Sequence, residues 1–374
     1  MISIGMTDFH KEKADKVIEG MREGGAEALI LFPGTDIGYY TGFPIGMSER
    51  LNAALIPFDG DPVFIVNELE KELRGMKPWI TDVDVWLEHE DPVEILAENL
   101  EGKGLGGAVV GLAENAPWGW VNRLRDMLPG IHFVDATPYL AHGRMVKTDQ
   151  ELDWMRMACA ITDKALESSF EQLHTGMTEK ELASLISTSL QSQGGEGGFM
   201  SVMFGEKAAL PHGRTGDVEL KPGDGILVDM GTRIHGYASD LTRTVFYGEP
   251  SERQREIYGV VKEANQAAYE AVRPGVSCEA LDEVARKVIS DAGYGDYFIH
   301  RLGHGIGLDV HEHPYIVRSN ELELEANMTF TIEPGIYIVG EVGVRVEDSV
   351  VCTEEGCERL TRMSRELTSY PVRD

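Results

Sequence analysis

Residues Ile226 to Phe246, ILVDMGTRIHGYASDLTRTVF, read as two β-strands joined by a tight turn. Ile226, Leu227 and Val228 are apolar and β-prone, as are Thr242, Thr244, Val245 and Phe246. A two-residue turn at His235-Gly236 pairs residues whose numbers sum to 471. Asp240 then lies opposite Gly231, two residues along from Asp229. Side chains alternate along a strand, so both aspartates share one face, diagonally across the pair. Two carboxylates on the inner face of an apolar hairpin cannot both stay ionised unless something positive joins them. This segment alone leaves two readings: a divalent-metal site, or a surface hairpin with two solvated acids.

The full chain has 374 residues, of which 42% are hydrophobic, so two domains with buried cores are expected and global disorder is not. No apolar run reaches the length of a membrane span. The N-terminus, MISIGMTDFHKEKADKVIEG, breaks early into charges and lacks the apolar block of a signal peptide, which predicts a cytoplasmic protein. Cys159, Cys278, Cys352 and Cys357 form no zinc-knuckle pattern and are expected to be reduced thiols. The balance of 34 basic against 63 acidic residues, a net −29, argues against nucleic acid or an anionic membrane as partner, since both need a basic footprint.

Residues 1–143 read as an α/β unit. A helix is predicted over 11–24, strands over 26–32, 53–57, 63–66, 83–87 and 108–112, and helices over 92–100 and 118–128. No glycine-rich phosphate loop or nucleophile motif occurs there. The aromatic run Tyr39-Tyr40, followed by Gly42-Phe43, reads first as core or hairpin packing and second as the border of a ligand site. A boundary falls near Ala141 to Lys147.

Beyond it, capping boxes at Thr148–Glu151 and Thr178–Glu181 open two helices, and strand material follows from Phe199 to Phe204. The order then repeats. A third capping box spans Ser251–Gln254, and Ser277 begins a fourth helix. The helix starts differ by 103 and 99 residues. Helix pairs covering a curved antiparallel sheet would make an α+β domain with a pseudo-two-fold axis.

The polar residues follow the same duplication. Asp229 and Glu333 differ by 104, Asp240 and Glu347 by 107, and His212 and His311 by 99. A hairpin centred near Gly340 sets Glu333 opposite Glu347. His304 stands among Gly303, Gly305 and Gly307, which let a backbone approach a ligand closely. Four carboxylates carry four negative charges, which two divalent cations balance. Oxygen-rich ligation with one imidazole suits manganese, cobalt, iron or zinc. Two metals about 3.5–4 Å apart can hold a bridging hydroxide and hydrolyse an amide without a Ser or Cys nucleophile.

The motifs VDMG, SDLTRT, LGHGIGLDVHEHP, TIEPGIY and GVRVED resemble those of the pita-bread metallopeptidases, in the Xaa-Pro dipeptidase (prolidase) and aminopeptidase P group. The segments GGAEALILF and IGYYTGF resemble the N-terminal domain of prolidase and creatinase. The resemblance implies an N-terminal α/β domain over 1–143 and a pita-bread catalytic domain over 148–374. It implies Asp229, Asp240, His304, Glu333 and Glu347 as ligands of two divalent metal ions, manganese foremost. Asp240 and Glu347 would bridge both ions, Asp229 would hold one, and His304 and Glu333 the other. Glu333 would also accept the proton of the attacking water. His212 and His311 would face the scissile carbonyl, Arg345 would orient the site, and Thr242 would hydrogen-bond a ligand carboxylate. The expected activity is cleavage before proline in a small peptide, by a homodimer. Alternatives on the same scaffold are a creatinase-like amidinohydrolase, a metal-dependent lyase acting on a small osmolyte, and a non-catalytic binding module. One departure is Tyr315, which stands where many prolidases place an Arg able to bind a dipeptide carboxylate.

Overall fold

The computed structural model describes residues 7–71, 79–210 and 213–373. The chain divides into two compact units, Met1–Arg144 and Met145–Asp374. No described helix is long and apolar enough to cross a membrane.

The first unit comprises α1 (Thr7–Glu23), β1 (Ala28–Leu31), α2 (Thr35–Thr41), β2 (Ala53–Pro57), β3 (Val63–Asn67), β4 (Asp82–Trp86), α3 (Pro92–Gly102), β5 (Val109–Leu112), α4 (Trp118–Met127), β6 (His132–Asp135) and α5 (Thr137–Met145). Its six strands form one mixed sheet in the order β4-β3-β2-β1-β5-β6. The strands ALIL, AALIP and VFIVN are buried at every position. Their continuous apolar runs suit a sheet covered on both faces. The aromatic run is core packing, on a helix rather than a hairpin. Tyr39 and Tyr40 lie on α2, both fully buried, and Gly42 ends the helix at φ 76°.

The second unit carries the duplication. Helices α6 (Asp149–Phe170), α7 (Glu179–Ser192), α8 (Glu252–Ala271) and α9 (Cys278–Asp291) are capped by Thr148, Thr178, Ser251 and Ser277, the residues read from sequence. The first three caps are complete capping boxes. Each half also contains the same isolated bridge, Thr178 to Glu219 and Ser277 to Glu323.

The strands are β7 (Gly198–Phe204), β8 (Gly225–Ile234), β9 (Tyr237–Ala238), β10 (Leu241–Tyr247), β11 (Gly303–Gly305), β12 (Glu312–Ile316), β13 (Thr329–Ile332), β14 (Gly335–Ile338), β15 (Val342–Arg345), β16 (Asp348–Thr353), β17 (Gly356–Arg359) and β18 (Ser369–Tyr370). One sheet runs β18-β10-β8-β7 with β9 paired to β8, a second runs β12-β11-β13-β16-β17, and β14 and β15 form a two-stranded sheet.

Two hairpins dominate these sheets. In the first, Asp229 pairs with Thr242 and Arg233 with Ala238, so one register holds on both sides of Ser239-Asp240. His235 and Gly236 form its turn with φ of 52° and 85°. Positive φ at both central residues gives the primed turn whose twist matches the strands. In the second, Ile332 pairs with Asp348 and Gly335 with Arg345. That register also holds across an interruption, and Glu333 and Glu347 occupy it opposite each other.

Candidate metal centre

Three of the four acids, Asp240, Glu333 and Glu347, sit where the two ladders are interrupted, and Asp229 lies in the paired run opposite Thr242. Asp229 lies within β8, Asp240 just before β10, Glu333 just after β13 and Glu347 just before β16, while His304 is the middle residue of β11. A residue at a break in a ladder can turn its side chain into the space between the hairpins without disturbing the strands around it. The glycines beside His304 are required by the close packing of the sheet. A Cβ on Gly303 would meet the Thr331 carbonyl oxygen at 1.9 Å, and one on Gly305 the His313 carbonyl oxygen at 2.1 Å.

These five side chains line one cavity of about 390 Å³, with Phe199, Val310 and His311. Asp240, His304 and Glu347 each offer a ligand atom within 4.8 Å of the others. His304 Nε2 is 3.7 Å from Asp240 Oδ2 and 3.3 Å from Glu333 Oε1. Burial and the neighbouring carboxylates drive the acids upward: Glu333 to about 7, Asp240 and Glu347 well above their usual range. Burial and the facing His311 push His304 down to about 3. Negative charge is crowded and the His304 imidazole is kept neutral, a conflict that divalent cations among the carboxylates relieve. Asp240 Oδ1 is buried with no hydrogen-bond partner among the described residues. A buried, unpartnered carboxylate oxygen fits a metal ligand, as does the all-oxygen-plus-imidazole donor set.

The surrounding residues fix these groups. The Thr242 hydroxyl donates to Glu347 Oε2 at 2.5 Å and accepts from Arg345 Nε at 2.9 Å. Arg345 also donates to Asp229 Oδ2 at 2.6 Å and to the Tyr337 hydroxyl at 2.9 Å. Thr331 donates to Glu333 Oε1 at 3.2 Å and accepts the His304 amide at 3.1 Å. Arg243 is fully buried and donates to the carbonyls of Thr242 and Glu347 and to Asp348 Oδ1, tying the two hairpins together beneath the acids.

His311 is exposed and packs edge-on against His304, ring centroids 4.1 Å apart. His212 lies outside the described residues. Tyr315 pairs with His304 across β11 and β12, and the Arg301 guanidinium sits 4.3 Å above its ring. Sequence reading passed over Thr331, Tyr337, Phe199 and Val310. Two of these carried a signal. Thr331 is two residues from Glu333, and Tyr337 stands to Arg345 in the diagonal relation that links Asp229 to Asp240.

Comparison with known proteins follows the same division. Residues 153–354 match metallopeptidase family M24, and residues 13–146 match the creatinase/prolidase N-terminal domain. The chain is 39% identical to the Xaa-Pro dipeptidase of Lactobacillus helveticus, over 96% of this chain and 99% of that protein. It is 35% identical to the Xaa-Pro dipeptidase of Pyrococcus furiosus, over 96% and 99%. The crystal structure of dipeptidase PepE from Mycobacterium ulcerans superposes with a TM-score of 0.93 at 36% identity, covering 98% of this chain and 99% of that one.

Proposed function

We propose, from the premise that this chain belongs to metallopeptidase family M24, that it hydrolyses the peptide bond before proline in Xaa-Pro substrates. The observation that carries this reading is one cavity lined by Asp229, Asp240, His304, Glu333 and Glu347, with an unpartnered carboxylate oxygen at Asp240. Those five residues would hold two divalent ions, and manganese is the ion proposed because it suits hard oxygen donors. When bound, such ions lower the pKa of water and polarise a carbonyl.

The chain's own residues supply the rest. Glu333, oriented by the Thr331 hydroxyl, accepts the proton of the attacking water. Partial burial of its ring and the positive Arg301 push the His311 imidazole down, so its neutral N–H is available to the oxygen of the scissile carbonyl. His212 is assigned the same task from the opposite half of the repeat. Arg345 holds Asp229 directly and Glu347 through Thr242, so one buried cation orients an acid of each hairpin.

The curated relatives support a dipeptidase more than an aminopeptidase. Turnover of Ala-Pro, Ala-Pro-Ala and Ala-Ala by the manganese-loaded protein separates the possibilities. The expected result is cleavage of Ala-Pro with at least tenfold preference over the other two. Preference for Ala-Pro-Ala would make it an aminopeptidase, and no cleavage of any peptide would favour the amidinohydrolase or lyase reading.

A further inference from the structure

Outside the metal centre, β16 and β17 bring two thiols face to face. Cys352 lies directly opposite Cys357 in the hairpin that turns at Glu354-Glu355. The Cys352 amide donates to the Met328 carbonyl at 2.9 Å, and its own carbonyl accepts from the Asn327 amide at 2.8 Å. Both groups therefore point towards β13 and away from β17. The Cys357 carbonyl likewise turns outward, to the Tyr269 hydroxyl at 2.8 Å. In an antiparallel ladder a residue's N–H and C=O leave on the same side, so this is a non-hydrogen-bonded pair. Facing Cα atoms in such pairs lie about 4.5 Å apart, with their side chains at closest approach. That spacing falls within the roughly 4.4–6.8 Å that a disulfide spans. Both thiols are free; Cys352 is buried and Cys357 partly exposed, whereas Cys159 and Cys278 are buried elsewhere.

We propose that Cys352 and Cys357 form a redox-modification site, oxidised to a cross-strand intrachain disulfide by a low-molecular-weight disulfide such as oxidised glutathione. Cys357, the accessible member, loses its proton and attacks one sulfur of the reagent. The S–S bond of the reagent breaks, and one small thiolate leaves. Cys352 then loses its proton and attacks Cys357 Sγ, expelling the second small thiolate. The protein gives up two protons and two electrons, and the reagent becomes two thiols. Burial pushes both thiols upward, Cys352 to about 11, which keeps the pair reduced for longer at neutral pH and makes the exchange faster in alkali. The product would close the short loop between Cys352 and Cys357 on the strand that begins at Asp348, next to Glu347.

The test is exposure of the native protein to oxidised glutathione at about pH 9, then alkylation in denaturant and peptide mass mapping. Wild type should end with two of its four thiols protected and Cys352 joined to Cys357. The Cys352→Ser variant should stop at a glutathione adduct on Cys357, and Cys357→Ser should leave Cys352 unmodified. Accumulation of the same adduct in wild type, or four alkylated thiols after prolonged exposure, would overturn the assignment. Linkage through any other cysteine would overturn it as well.

Discussion

Thr242 places one hydroxyl between two charges, accepting from Arg345 and donating to Glu347. Replacement by valine keeps the shape and removes both bonds. Thr242→Val should retain the fold and lose about 10–100-fold in metal affinity, the usual cost of removing a group that orients a ligand. Isothermal titration of the metal-free protein measures this, and wild-type affinity would contradict it. His300 makes a separate prediction. Burial, reinforced by the positive Arg345, pushes its imidazole down to about 4. Unfolded, it titrates near 6.5. Between those pH values the unfolded chain binds more protons, so the contribution is complete above about pH 6.5 and declines as pH falls towards 4. His300→Gln should flatten that decline by roughly 1–3 kcal/mol. Denaturant unfolding at about pH 7.5 and 4.5 checks it, and an unchanged pH dependence in the variant would be the contrary result. Thr242 was legible in the sequence because strand register alone puts it opposite Asp229. His300 was not, since its burial and its 3.0 Å contact with the Tyr337 hydroxyl depend on the packed fold.

At the level of elements, the hairpin register does the positioning. His235 and Gly236 must both hold positive φ, and a Cβ on Gly236 would touch Leu308 at 3.4 Å. The strand beside that turn also anchors the loop before His311, through Arg233 to the Leu308 carbonyl and the Ala238 amide to the Gly307 carbonyl at 2.8 Å. Gly236→Ala should therefore cost about 1–2 kcal/mol, the penalty for a side chain in the left-handed region. Equilibrium unfolding reads it, and a neutral or stabilising effect would mean that the turn does not constrain the hairpin. Helix caps and two-residue turns were readable in advance because their chemistry is local: Thr148, Thr178, Ser251 and Ser277 all cap where the sequence indicates. Helix α2 was not, because TDIGYYT carries a central glycine and gains its helix from burial of Ile37, Tyr39 and Tyr40. Strand β6, HFVD, is exposed or half-buried throughout and offers no hydrophobic pattern to read.

For the whole molecule, duplication makes the site possible. Each half contributes a hairpin interrupted at an acid, and neither half alone gathers enough carboxylates to hold two cations. The spacing of 104 and 107 residues between matching acids was visible in the sequence. The interlocking of the halves through Arg243 was not, because its partners, Glu347, Asp348 and Met363, are over 100 residues away. The most direct test is the metal content of the purified chain after reconstitution with manganese and removal of excess, measured by elemental analysis beside Asp240→Asn. Two equivalents per chain are expected for wild type and fewer than two for the variant; near-zero metal in the wild-type protein at saturation would contradict the account.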